Sequence, residues 1–281
     1  MASDIYERIV ELRRGGRRAA LATIVKRLGS TPRKDHAKML ILDDGTSIGS
    51  VGGGCVEAAV WEAGQTAIAE GRAQLVRYEL NDDDAENEGL ICGGTVEVFV
   101  EPLLPDPKLV ILGAGHLGRA ISDIVQPLGF QVTVVDDRSS FAAPERFPGA
   151  KVVCQPFESG LSALNVNTDS FILIVTRGHR HDQVALEQAI QTPARYVGMV
   201  GSRRKIALLV NNLLAKGHSP DGFRRLYAPI GLDIGSETPE EIAVSVAAEL
   251  IAVLKGTHKR SEKQEFVMGL LKGKNSEKAR R

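Results

Sequence analysis

Two glycine-rich clusters hold the residues of this chain best suited to chemistry. Gly113-Ala114-Gly115-His116-Leu117-Gly118 fits the spacing G-x-G-x-x-G. Its context is complete: an apolar run from Leu109 to Leu112 precedes it, a helical pattern follows, and Asp136 closes the next apolar run about 20 positions on. In that context Gly113 permits a tight turn, Gly115 lets a pyrophosphate approach the backbone, and Gly118 lets helix and strand pack closely. The helix start at His116 offers unpaired N–H groups to a phosphate. Asp136 is expected to hydrogen-bond a ribose hydroxyl and repel a 2′-phosphate. Arg138 weakens that exclusion, so NAD is only mildly favoured over NADP. The competing reading is a Rossmann-like sheet whose loop holds no nucleotide. No acid–base pair suited to hydride transfer is legible downstream, so the loop points to a phosphate-bearing ligand without establishing hydride chemistry.

The second cluster is Gly49-Ser50-Val51-Gly52-Gly53-Gly54-Cys55-Val56-Glu57. Three successive glycines leave the backbone bare, as close approach of a ligand requires. Cys55 then falls at a helix start, where the macrodipole favours the thiolate. Thiolate is the form that nucleophilic, sulfur-handling or metal-ligating chemistry needs. Cys92-Gly93-Gly94 repeats the pattern, and the two thiols could face a common pocket. Equally weighted is the plainer reading of turn glycines and small core cysteines. No C-x-x-C and no matching His pair supports zinc.

Three smaller signals follow apolar runs. Thr176-Arg177-Gly178-His179-Arg180-His181-Asp182 comes after Phe171 to Val175. Its His179, His181 and Asp182 could bind metal or phosphate, or simply cap the next helix. In Gly201-Ser202-Arg203-Arg204-Lys205, Ser202 suits a helix N-cap and the basic residues, Arg203 among them, suit a phosphate. Gly231 to Pro239 is a turn in which capping accounts for Thr238 and Pro239 but not for the glycine-flanked Asp233.

The elements that must position these residues are legible as periodicities. Ile5, Ile9 and Leu12 share a helical face. Apolar runs at 19–25, 39–42 and 47–51 predict strands, the last two joined by a hairpin at Asp43-Asp44-Gly45-Thr46. A helix is expected from Cys55 to Gly71, then strands at 75–80 and 95–100 around an acidic loop. Pro102, Pro105 and Pro107 read as a linker, separating a domain at 1–104 from one at 105–256, with a basic tail at 257–281 carrying a peripheral helix around Phe266 to Leu271. Beyond the linker, strands at 109–112, 132–135, 151–154, 171–175 and 196–200 alternate with helices at 116–128, 182–191, 202–216 and 239–254. That alternation predicts a doubly wound parallel sheet. The fold class is therefore α/β, with a smaller α+β domain in front of a Rossmann-like one.

Composition bounds the function. At 281 residues the chain suits two domains of ~100–200 residues. With 43% hydrophobic and 25% charged residues it can build a packed core. Thirty-five basic residues balance 35 acidic ones, which argues against a dedicated nucleic-acid binder. No stretch reaches the ~18 apolar residues of a membrane span. Met1 to Glu11 reads as an amphipathic helix rather than a signal peptide. Three cysteines make no disulfide framework, so a cytoplasmic location is expected.

Taken together, these motifs resemble the XdhC/CoxI family. Gly29 to Arg33, Ala37-Lys38-Met39, Gly49 to Glu57 and Cys92 to Glu97 are similar to its N-terminal domain. Leu112 to Gly118, Val134 to Arg138, Gly201 to Lys205, Pro229 to Gly235 and Thr238 to Ala243 are similar to its Rossmann-like domain. The likeness runs from about residue 5 to 256, in family order. It implies a homodimeric accessory protein that binds molybdenum cofactor, supports its sulfuration by a cysteine desulfurase, and delivers it to a molybdenum hydroxylase apoenzyme such as xanthine dehydrogenase. The site it implies comprises Gly52, Gly53, Gly54, Cys55, Glu57 and Cys92, with Gly113, Gly115, His116, Gly118, Asp136, Arg203 and Asp233, and no resident metal. An NAD(P)-dependent oxidoreductase and an NAD-responsive regulator are the competing readings.

Overall fold

The structure is a computed structural model, and it describes residues 4–29, 37–52, 54–80, 94–257 and 265–271. The chain divides into two compact units, Met1–Asp106 and Pro107–Arg281.

The first unit is built on one antiparallel sheet. Helix α1 (Ile5–Gly15) is capped by Asp4, whose side chain accepts from the Tyr6 N–H. There follow β1 (Ala19–Gly29), β2 (Lys38–Leu42), β3 (Ser47–Gly49), α2 (Gly54–Glu70), β4 (Gln74–Leu80) and β5 (Gly94–Leu103). The strands lie in the order β3-β2-β1-β5-β4, all antiparallel. Alternation puts Ala20, Ala22 and Ile24 of β1 and Val96, Val98 and Val100 of β5 on one face, where they bury Val56, Val60, Ala67 and Ile68 of α2. On the other face Leu12 of α1 packs on Leu40 and Leu42. The β2–β3 hairpin turns at Gly45, whose φ of +83° suits glycine. Arg17 pairs with both Asp43 and Asp44 of that turn.

Pro102 departs from the expected linker: it lies inside β5, opposite Ala20 of β1. The physical reason is local. Pairing with β4 stops at Val100, so beyond it β5 has a neighbour on one side only, and an edge stretch tolerates proline.

The second unit begins with β6 (Lys108–Leu112), α3 (His116–Val125), which continues as a 3-10 turn, β7 (Gln131–Asp136) and β8 (Lys151–Cys154). Short α4 (Phe157–Gly160), β9 (Ser170–Ile174), α5 (Gly178–Ala189) and β10 (Tyr196–Met199) come next. The unit continues with α6 (Arg203–Ala215), β11 (Leu226–Tyr227) and α7 (Pro239–Leu254). The sheet runs β8-β7-β6-β9-β10-β11 with every pairing parallel. This is the Rossmann order, with its reversal between β6 and β9. Leu109, Ile111 and Leu173 bury one face against α3 and α7, through Ile121, Val125, Val246 and Leu250. Val110, Leu112 and Ile172 bury the other against α5 and α6, through Leu186, Leu209 and Val210. The two-residue β11 was not legible in the sequence. Residues 265–271 form a helix, as expected, yet Val267 and Leu271 are buried in the hydrophobic core of this unit rather than peripheral.

Helix α7 starts with a reciprocal capping box. The Thr238 hydroxyl accepts from the Glu241 N–H, and the Glu241 carboxylate accepts from the Thr238 N–H at 3.2 Å. We expect Thr238→Ala to lower the unfolding free energy of this unit by about 1 kcal/mol in urea denaturation, leaving the m-value unchanged.

Candidate functional site

In a sheet of this order ligands are taken at the carboxyl ends of the strands, where the order reverses. The loop after β6 lies there. The Gly113 N–H donates to the Val135 carbonyl at 2.8 Å. At φ +121° a Cβ on Gly113 would stand 2.4 Å from the Val175 carbonyl oxygen, so the loops after β6 and β9 are pressed together. A Cβ on Gly118 would stand 2.1 Å from the Gly113 carbonyl oxygen, which brings α3 hard against the loop. Gly115 differs from both. It is the N-cap of α3 in extended conformation, no side chain caps the helix, and an added Cβ would meet nothing within 4 Å. Two glycines are thus bare because protein fills the space beside them, and one because the space in front of it is open. The first N–H groups of α3 have no side-chain cap, and such a helix start suits an anion. His116, the first residue of α3, is exposed.

Asp136 ends β7 and is 1% exposed. Its Oδ2 accepts from the Ala114 N–H at 2.8 Å and from Arg138 Nη2 at 2.9 Å. Its Oδ1 accepts from the Arg138 N–H at 3.1 Å and Nε at 2.8 Å. Burial alone would push this carboxyl up. The hydrogen bonds from Arg138 and from the Ala114 and Arg138 backbones outweigh it and hold the group at about 2. The Arg138 guanidinium also lies over the Phe141 ring, 3.6 Å from its centroid. Neighbouring Asp137 pairs with Arg177 of the β9–α5 loop through both oxygens, at 2.6 and 2.8 Å.

The two smaller motifs meet each other. Helix α5 begins at Gly178, earlier than expected, so His179 and His181 lie in its first turn and Asp182 is fully buried inside it. Asp182 Oδ1 accepts from the Thr176 hydroxyl at 2.7 Å, and Oδ2 forms an ion pair with Lys205 Nζ. The Lys205 stem passes over Gly201, where an added Cβ would be 3.0 Å from Cδ. Ser202 caps α6, as expected, by accepting from the Lys205 N–H. The sequence held the signal for this pair: adjacent parallel strands must release their loops at the same edge. His181 packs edge-on against Phe157. Among the described residues no three ligating side chains cluster as a metal site. Arg203 is the exposed first residue of α6, and Asp233 is exposed on the segment between β11 and α7, which the Ser245 hydroxyl fastens by donating to the Leu232 carbonyl at 2.6 Å. A cavity of about 380 Å³ lined by Lys108, Gln131, Lys151 and Ser170 opens at the amino ends of the strands, away from this edge.

In the first unit, Gly52 carries φ +151° and Gly54 opens α2 at φ +59°. Cys55 is exposed in the first turn of that helix. Glu57 accepts from the Ser50 hydroxyl at 2.8 Å, and the Ser50 oxygen accepts from the Gly52 N–H. Glu57 therefore fastens the glycine loop. Gly53 and Cys92 lie outside the described residues. Cys154 is exposed at the end of β8.

Two family models match the chain: "XdhC and CoxI family" over residues 12–79 and "XdhC Rossmann domain" over residues 109–250. An Escherichia coli protein, uncharacterized protein YqeB, is 39% identical over 83% of this chain, which spans 43% of that relative's length. A Bacillus subtilis protein named as a probable xanthine dehydrogenase subunit is 26% identical over 84% of this chain and 93% of its own. The molybdenum cofactor insertion chaperone PaoD of Escherichia coli is 26% identical over 87% of this chain and 86% of its own. A solved structure named as a xanthine dehydrogenase from Bacillus halodurans superposes with a TM-score of 0.51 at 24% identity, covering 93% of this chain and 98% of that one; the likeness is one of fold.

Gly118→Ala should cost about 3 kcal/mol, because backbone must move to admit the methyl group. Gly115→Ala should stay within about 0.5 kcal/mol of the parent. Chemical denaturation of both variants checks the contrast. For Asp136 the folded state favours the carboxylate. Its contribution is complete above the unfolded value of about 3.9 and is lost as pH falls through about 2. Asp136→Asn should therefore lower stability by about 2 kcal/mol at pH 7, a difference from the parent that shrinks below pH ~4 in denaturant titrations.

Proposed function

Because the chain belongs to the XdhC and CoxI family, we propose that it is an accessory protein that binds molybdenum cofactor, supports its sulfuration, and inserts it into a molybdenum hydroxylase such as xanthine dehydrogenase. The observation that carries this reading is the uncapped start of α3, faced by open space at Gly115 on the carboxyl edge of a Rossmann sheet. A terminal phosphate, or the pyrophosphate of a nucleotide-bearing form of the cofactor, is the group such a helix start takes. In this reading Gly115 and His116 face the phosphate, Gly113 and Gly118 let the loop and α3 close up behind it, and Asp136 positions the loop. Arg203, at the start of α6 after β10, and Asp233, on the segment after β11, border the same edge. Gly52, Gly53, Gly54 and Cys55, with Glu57 fastening the loop and Cys92 adding a second thiol, handle sulfur passed from a cysteine desulfurase. The relatives named for xanthine dehydrogenase and for cofactor insertion support this assignment. A homodimer acting in the cytoplasm completes it.

The competing reading, an NAD(P)-dependent oxidoreductase or NAD-responsive regulator, draws on the Rossmann strand order and the buried Lys205–Asp182 pair at the same edge. Purification under anaerobic conditions beside a molybdenum-hydroxylase host separates the two. The accessory role predicts co-purifying pterin, scored by fluorescence after oxidation, and no NADH turnover; turnover without pterin overturns it.

Cys55 is exposed and a serine suits a helix start, so Cys55→Ser should keep stability within about 0.5 kcal/mol of the parent. It should lower maturation of an apo-hydroxylase by roughly tenfold, a loss of about 1.4 kcal/mol in the step it serves. Unchanged maturation would assign the thiol to the turn alone.

A further inference from the structure

We infer that the carboxyl end of β7 is a phosphate-monoester subsite made by Arg138 and Arg177, and not a subsite for an unmodified ribose diol. The inference rests on the proposed ligand role of the Gly113–Gly118 loop. Its starting point is the state of Asp136. A carboxylate offers about four lone-pair positions, and Asp136 accepts four hydrogen bonds, from the Ala114 N–H, the Arg138 N–H and two guanidinium N–H groups. None is left for a ribose hydroxyl. Arg138 takes the acceptor positions that a diol would need, and its guanidinium lies against the Phe141 ring.

The donors tell the complementary story. Arg138 spends Nε and one Nη2 hydrogen on Asp136, and Arg177 spends two on Asp137. Each guanidinium therefore keeps three of its five N–H groups. Both side chains reach outward, at 30% and 40% exposure. They come from opposite sides of the glycine loop, Arg138 from β7 and Arg177 from the loop after β9, and converge on Asp136 Oδ1, at 2.8 and 3.7 Å. That oxygen's partner, Oδ2, is bonded to the loop itself at Ala114. The edge beside the glycine loop thus presents spare donors and a carboxylate with no acceptor positions left. Asp137 keeps acceptor positions but is clamped by Arg177. A phosphate monoester has three acceptor oxygens to match these spare N–H groups; Asp136 and Asp137 offset the two guanidinium charges, so the fit rests on the donors and not on net charge. Two sources supply the monoester: the 2′-phosphate of a dinucleotide whose pyrophosphate takes the helix start, or the terminal phosphate of a pterin cofactor, which then sits at the two arginines in place of the helix start.

Calorimetry on the full chain tests this with NADP against NAD, and with the oxidised molybdopterin pterin before and after phosphatase treatment. We expect the phosphorylated member of at least one pair to bind at least tenfold more tightly, and which pair responds identifies the source of the phosphate. Arg177→Ala, on an exposed side chain, should lower that preference without improving NAD. Arg138→Ala should abolish the preference and improve NAD binding, since it returns two lone-pair positions on Asp136; thermal denaturation checks that it is folded, and Arg138→Gln serves if it is not. NAD bound as tightly as NADP, with both lost in Gly115→Val and no phosphate dependence of the pterin, overturns the subsite but keeps the ligand loop. Failure of every probe to bind, with Gly115→Val indistinguishable from the parent, overturns the loop reading and the subsite with it.

Discussion

The hydrogen-bonded carboxylate of Asp136 is the interaction on which the carboxyl edge of the second unit's sheet depends. A buried charge is costly unless its hydrogen-bonding capacity is met, and here it is met by the turn it organises. The Ala114 N–H would otherwise be an unsatisfied donor in a buried turn. One side chain thereby fixes the start of the glycine loop, the end of β7 and the direction of Arg138. Loop geometry, helix start and guanidinium placement follow from a single saturated acceptor.

Steric contact completes what Asp136 begins. The loop after β6 can touch the loop after β9 only because Gly113 lacks a side chain, and α3 can approach the loop only because Gly118 lacks one. Those contacts leave Gly115 as the bare position that faces outward. The first unit solves a similar problem by other means: its glycine loop is held by the chain from Gly52 through Ser50 to Glu57, leaving the Cys55 thiol exposed beside it. In both units a polar side chain anchors a backbone that is itself kept bare.

The buried Lys205–Asp182 pair marks a third constraint. Such a pair adds little net stability compared with apolar packing, yet removing one partner strands the other. Its position between the loops that follow β9 and β10 ties the starts of α5 and α6 together at the carboxyl edge of the sheet.

Local pattern determined much of this molecule. The apolar runs of β1, β6, β9 and β10, the turn at Gly45 and the cap at Thr238 are written in neighbouring residues, because each depends on contacts a few positions apart. The Rossmann alternation and the G-x-G-x-x-G spacing were legible for the same reason. What tertiary structure alone decided involves partners far apart in the chain. Pro102 joins a strand because pairing with β4 ends at Val100. Leu226 and Tyr227 become a strand because β10 offers them an open edge. Val267 and Leu271 enter the core because the hydrophobic cluster of the second unit is there to receive them. The same holds at the site. Sequence marked Asp136 as an acceptor, and only the fold revealed that Ala114 and Arg138 already fill it, since lone-pair occupancy is a property of three-dimensional neighbours and not of spacing.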